Sequence, residues 1–208
     1  MIKRNIILES VNNSNVYVYY DEPTRRICGI VNRLFLNNPG VEHIISYAKL
    51  KKNAADSNSR PCYGAWEIVH AAADRGTGID LFFEFMSMSD VEYIMCDRID
   101  LSPDAEIAWK NIVDLMGAGS TVKLDNFRKP RTPEIIDDCM TWEEKYGLNN
   151  PYDQVIKVPD GMTGSHQHIK LDELLDKMKF IDAENAFRSK WFGGFEEMMV
   201  RRGYEPGS

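Results

Sequence analysis

Short apolar segments, each bounded by turn residues, alternate along this chain between strand-like and helix-like patterns. The segment 15–20 is rich in β-branched and aromatic residues, which predicts a strand that closes at Pro23. Apolar residues in 24–34 recur at helical spacing, which predicts an amphipathic helix capped by Thr24. With 208 residues, 43% of them hydrophobic, the chain can bury one substantial core, so we expect a single domain over 1–208.

Three further apolar runs predict strands over 43–47, 62–69 and 79–86, and the polar stretch 49–60 predicts a loop. Three alanines at 71–73 make a helix after residue 62 nearly as good an interpretation on propensity. Glycines in 74–78 predict a hairpin turn.

The second half of the chain is predominantly helical in pattern. Ser102 followed by Pro103 predicts a helix start, with a buried stripe that contains Ile107, Ile112 and Leu115. A proline-containing stretch at about 120–160, with a helix near 133–146, predicts a divergent insertion, and the last 40 residues predict helices.

A net charge of -7 argues against non-specific binding of nucleic acid, which needs clustered lysine and arginine. No run approaches the roughly 20 apolar residues of a membrane span, and the apolar start breaks at Glu9, short of a signal peptide. The four cysteines are far apart without a CxxC pair, which predicts no metal site and a reducing cytoplasm. A small soluble substrate fits these properties best.

Cys62 follows Arg60 and Pro61, and a nearby guanidinium favours a reactive thiolate. Most isolated cysteines on apolar strands are nevertheless core residues. A hydrolase that pairs Cys62 with His166 or His168 needs spatial adjacency, which a sequence does not reveal.

The order of motifs around Cys62 resembles the thymidylate synthase family. The matching segments are 30–34, 37–39, 44–46, Pro61-Cys62, 87–91 and 163–169, with a helix from residue 102. This resemblance covers roughly half the chain, mainly 27–116 and 162–172.

The resemblance implies an α/β fold with a large mixed, mostly antiparallel sheet backed by helices, and a homodimer. It also implies transfer of a methyl or hydroxymethyl unit to C5 of a pyrimidine nucleotide of the dUMP or dCMP type. The Cys62 thiolate would add to C6, and C5 would attack carbon supplied by 5,10-methylenetetrahydrofolate. Related hydroxymethylases occur in viruses that modify their DNA, so an infected host cell is one expected setting.

The resemblance also assigns residue roles. Asp90 would serve catalysis and hold the folate pterin, and His168 would bind the ribose hydroxyl. Asp97 or Arg98 would read the base edge, and an aspartate there would accept from the cytosine amino group. The remaining residues assigned to the substrate are Arg60, Ser89 and Lys170.

Some family features are absent from this chain. Glu42 and His43 stand where the family has a phosphate-binding arginine pair, and Lys170 stands where a tyrosine is usual. Candidates for a rearranged phosphate clamp are Arg25, Arg26, Arg33, Arg60 and Arg98. A non-catalytic member that binds a nucleotide or partner protein therefore remains an alternative, in which His168 is structural and Asp90 caps a helix.

Overall fold

A computed structural model describes residues 15–52, 64–97, 101–126, 133, 138–139, 154–174 and 179–192. Eight strands form one sheet in the order β10-β1-β2-β3-β4-β5-β9-β6, and β7 pairs with β8 separately. The strands are β1 Asn15–Glu22, β2 Arg25–Asn32, β3 Ile44–Lys52, β4 Trp66–Ala73, β5 Tyr93–Met95, β6 Thr121–Lys123, β7 Asp125–Asn126, β8 Asp138–Cys139, β9 Gln154–Lys157 and β10 Gln167–Lys170. The helices are α1 Gly78–Met86, α2 Pro103–Met116, α3 Leu171–Leu174 and α4 Phe180–Phe192.

The large sheet is mixed, because β1 runs parallel to β10 and β4 runs parallel to β5, while its other neighbours are antiparallel. Helices α1 and α2 pack on one face through Leu81, Phe85 and Trp109. Helix α4 covers the other face through Phe180 and Phe187. The prediction of a large mixed, mostly antiparallel sheet backed by helices is therefore confirmed.

The predicted helix after Thr24 is wrong, since this segment forms β2, which pairs with β1 and β3. Residues 26–31 are all buried because helices cover both sheet faces, so the usual alternation of a strand is missing. At Gly29 an added Cβ would lie 2.7 Å from Phe187 Cε1, so glycine permits the close approach of α4.

The predicted strand over 79–86 is also wrong, because this run forms α1, and 74–78 connects β4 to α1 instead of forming a hairpin turn. Leu81, Phe82, Phe85 and Met86 are buried at helical spacing. An apolar run of this length is compatible with either a strand or a buried helix, and packing against the sheet decides between them.

Strand β4 overlaps the predicted strand 62–69 but extends through the three alanines, which pair with β3. Helix α2 begins as predicted, with Ser102 Oγ accepting from Ala105 N at 3.2 Å. Its buried stripe differs, because Ile107 and Leu115 are exposed and Trp109 takes their place in the core.

Within 120–160, β6 and β9 belong to the large sheet, and β8 lies where a helix was predicted. The limits of an insertion in this stretch remain a prediction. In the described part of the chain, every helix is too short or too polar to cross a membrane.

Candidate functional site

Strands β4 and β5 pair at a short junction of two residues each, and their pairing ends at Glu67. Their parallel pairing joins Trp66 to Ile94 and Glu67 to Met95. Among the described residues, β4 beyond Glu67 has a strand partner only on the β3 side. Among the described residues, β4 from Ile68 to Ala73 is therefore unpaired on this side, and we call this stretch the opening between β4 and β5. It lies at the carboxyl ends of two parallel strands, where open α/β sheets commonly bind ligands.

A bulge in β4 lies beside the junction. Lys49 pairs with His70 and Leu50 pairs with Ile68, which leaves Val69 without an opposite residue on β3. A bulge bends its strand and increases the local twist. The bulge thus bends β4 directly after its pairing with β5.

Two backbone positions of β4 face the opening. Asp74 N donates to Ile45 O at 2.8 Å across the β3–β4 ladder. Hydrogen-bonded and non-hydrogen-bonded pairs alternate along an antiparallel ladder, so the peptide groups of Ala71 and Ala73 point away from β3. Their small side chains allow a ligand to approach this backbone closely.

The turn 74–77 leads from β4 into the first turn of α1 at the same edge of the sheet. Gly76 has φ +90°, a conformation that favours glycine. Thr77 Oγ1 donates to Asp74 O at 2.8 Å and does not cap the helix. The first amide groups of α1 therefore lack a Thr77 cap, and Arg75, two residues before Thr77, is exposed, while Asp80 is the acidic residue of the first turn.

Titratable side chains lie on the α4 side of the sheet close to the junction. His70 is half-buried, and its Nδ1 is enclosed without a hydrogen-bond partner among the described residues. Burial lowers the pKa of His70, and the charges of Arg188 and Lys49 lower it further, against the opposing effects of Glu184 and Asp97. The imidazole is accordingly neutral at neutral pH.

A second polar cluster surrounds Glu84, which is only 1% exposed. Its carboxylate accepts from Ser165 N at 2.6 Å and from His166 N at 3.0 Å, and it contacts His166 Nδ1 at 2.7 Å and His168 Nε2 at 2.8 Å. A Cβ at Gly164 would overlap Glu84 Oε2. The cluster therefore fixes the segment before β10 against α1.

Electrostatics in this cluster favour an ion pair. Burial opposes ionisation of Glu84, but hydrogen bonds from His166, His168 and Ser165 outweigh it and hold the pKa of Glu84 well below its ordinary value. The hydrogen bond to Glu84 raises the pKa of His166. His168, expected to bind a ribose hydroxyl, contacts Glu84 and packs 4.8 Å from the Tyr17 ring, and its role toward a ribose stays a prediction.

Asp90, expected to hold a pterin, pairs with a buried arginine. Arg26 Nη2 donates to Asp90 Oδ2 at 2.9 Å, and the guanidinium lies 4.7 Å from the centre of the Trp66 ring. Arg26 also donates to Asp21. The Asp90 side chain remains partly exposed, and it is the only residue assigned to folate.

The other predicted site residues do not converge. Ser89 is exposed in the turn after α1, Asp97 lies near His70, and Lys170 contacts Asp172 at 3.4 Å. Two candidates for the phosphate clamp have separate partners: Arg25 bonds Glu22, and Arg33 bonds Gln167. Cys62, Arg60 and Arg98 lie outside the described residues.

Sequence reasoning missed His70, Glu84 and the opening itself. Glu84 had a detectable signal, since a carboxylate between Phe83 and Phe85 in an apolar run requires a partner if it is buried. His70 had none, because its importance depends on where β4 separates from β5.

Comparison with family models, curated proteins and solved structures found no match for this chain.

Proposed function

We propose that this protein binds a phosphorylated carrier of the coenzyme A type in the opening between β4 and β5 and transfers its acyl group. The observation that carries the proposal is the end of the β4–β5 pairing at Glu67. Beyond it, the backbone of β4 lacks a described strand partner on this side, in the interior of the sheet, where another strand would normally pair.

An extended ligand with amide groups can occupy this opening as a strand does. Peptide groups of Ala71 and Ala73 would hydrogen-bond to the amides of the ligand, as in recognition by strand addition. From Ala73 back to the junction at Glu67, β4 extends for about 20 Å at ~3.3 Å per residue. The opening therefore favours a long, narrow arm.

The turn 74–77, at the end of the opening far from Glu67, favours the binding of phosphate. Amide groups at the start of α1 and the Arg75 guanidinium provide donors and positive charge for an anion. A peptide would use the strand edge but not this anion site, and a simple nucleotide would use the anion site but not the edge. A phosphorylated pantetheine arm satisfies both.

Such a carrier would place its thioester at the end of the opening next to the junction at Glu67. With phosphates near Gly76, the arm runs back along β4, and its reactive end reaches the bulge near Val69 and His70. Carriers of this type supply activated acyl groups, while the protein supplies orientation and proton transfer.

Titration calorimetry with coenzyme A, pantetheine and dUMP tests this proposal. We expect coenzyme A to bind most tightly, and Arg75→Ala to weaken its binding about tenfold, ~1.4 kcal/mol, through loss of a charged hydrogen bond. Arg25→Ala is the matched control, because Arg25 is also exposed but bonds Glu22 and lies on β2, two strands away from β4. Equal affinity for coenzyme A in wild type and Arg75→Ala would contradict the anion site.

One-carbon transfer to a pyrimidine nucleotide is the second candidate. Ser87 Oγ lies 3.5 Å from His168 Nε2, so two of the segments that resemble thymidylate synthase meet in space. Methylenetetrahydrofolate, a homodimer and the nucleophile Cys62 belong to this candidate.

Release of tritium from C5-labelled dUMP or dCMP tests the second candidate. We expect exchange in the wild type and at least a hundredfold loss in Cys62→Ser, because a hydroxyl is a far weaker nucleophile than a thiolate. Nucleotide binding by Cys62→Ser serves as the control for folding. Absence of exchange with both nucleotides in the wild type rejects this candidate.

A further inference from the structure

We infer that His70 accepts the proton of a primary amine that takes the acyl group in the opening between β4 and β5. The inference rests on the proposed function and adds the proton acceptor and the acceptor class. His70 lies directly after the bulge and three positions beyond the junction at Glu67.

The imidazole has one nitrogen available to a substrate. Nδ1 is enclosed and has no hydrogen-bond partner among the described residues. Nε2 is not enclosed in this way, and it makes no hydrogen bond to another described residue. A neutral ring with its proton on Nδ1 presents the Nε2 lone pair outward. A general base requires such a lone pair within reach of the reacting nitrogen.

Burial, together with the charges of Arg188 and Lys49, lowers the pKa of His70 and keeps this base neutral. Lys49 on β3 and Arg188 on α4 both contact Glu184, so their positive charges are partly balanced. Asp97, after β5, adds a carboxylate close enough to act on the His70 ring. An ammonium group is attracted to carboxylates, and an acidic acceptor is not.

The step balances without a further reactant. The attracted ammonium first loses one proton to water, the free amine nitrogen then attacks the thioester carbonyl carbon, and a C–N bond forms. Nε2 of His70 takes the proton that the nitrogen loses. The C–S bond then breaks, and the thiolate leaves and takes a proton from the imidazolium, which regenerates neutral His70.

Acetyl-coenzyme A with a panel of small primary amines tests the inference, with thiol release measured from pH 5 to 9 on the full chain. In the wild type, kcat should fall on acidification through a pKa below the ordinary histidine value, because protonated His70 is no base. His70→Gln should lower kcat at least a hundredfold, remove this acidic limb and leave the affinity for acetyl-coenzyme A within about twofold. A merely structural role for His70 would alter affinity or stability without removing the limb.

The possible results distinguish the role of His70, the acyl transfer and the carrier site from one another. An active wild type with a His70→Gln variant that keeps its rate and acidic limb overturns the role of His70 and leaves the carrier site intact. Binding of acetyl-coenzyme A without thiol release to any amine overturns the transfer and this inference with it. Failure of the wild type to bind acetyl-coenzyme A overturns the proposed function itself.

Discussion

Ala71→Pro is expected to weaken coenzyme A binding at least a hundredfold while the protein stays folded. The Ala71 amide faces the opening, so proline removes a donor to the ligand without removing a hydrogen bond of the β3–β4 ladder. The proline ring also narrows the space for the arm. Calorimetry with coenzyme A gives the affinity, and urea denaturation gives the free energy of unfolding.

Ala72→Pro is the matched control for this experiment. Ala72 pairs with Tyr47, and its amide points toward β3, so proline there breaks the ladder and should cost about 3 kcal/mol of unfolding free energy. If Ala71→Pro destabilises the protein as much as Ala72→Pro, the assignment of the open edge is wrong. If it binds coenzyme A normally, strand addition is not the mode of binding.

Glu84→Ala is expected to lower the free energy of unfolding by about 3–5 kcal/mol, because it removes a buried carboxylate and leaves its hydrogen-bond partners unpaired. Amides of residues 165–168 should also exchange faster with solvent, since Glu84 holds this segment. Urea denaturation and hydrogen exchange measure the two effects.

Glu106→Ala is the corresponding control on a helix surface. Glu106 contacts Lys110 at 2.8 Å in an exposed pair, which is worth roughly 0.3–0.5 kcal/mol. A loss below about 1 kcal/mol in Glu84→Ala would show that the cluster contributes no more than such a surface pair.

The Glu84 cluster should also impose a pH window on stability. The folded-state pKa of His166 is raised, so its contribution is complete below the unfolded histidine pKa and is lost as pH rises through the folded value. The folded-state pKa of Glu84 is lowered, so its contribution is present above the unfolded glutamate pKa and disappears as pH falls through the folded value. Glu84→Ala should remove both dependences.

Local chemical signals accounted for the elements that were predicted correctly. Strand β1 shows high strand propensity over 15–20, and α2 begins where Ser102 caps the helix and Pro103 follows. Both signals act within a few residues of the chain, so they do not depend on the rest of the fold.

Burial on two sides explains the elements that were predicted incorrectly. In β2, residues at 27, 30 and 31 have helical spacing only because all five positions from 27 to 31 are apolar and buried. In α1, Phe82 and Phe85 belong to a run that is too uniformly apolar to reveal its period. Packing of helices on both faces of the sheet resolves each case.

The candidate site depends even more on distant parts of the chain. Its opening requires β4 to meet β5, which follows α1, and its shape requires the bulge at Val69. Glu84 meets His166 and His168 across more than eighty residues. The sequence around any one of these residues does not indicate which distant residue it contacts in the fold.

The sequence by itself determined strand β1, the turn that closes it at Pro23, and the start of α2, because these depend on short-range sterics and hydrogen bonds. It also showed enough apolar segments for a sheet with helices. Only the tertiary structure decided which apolar runs became β2 and α1, where β4 separated from β5, and which polar residues met around Glu84 and His70. Those outcomes depend on burial and pairing between distant segments, and such interactions exist only once the chain is folded.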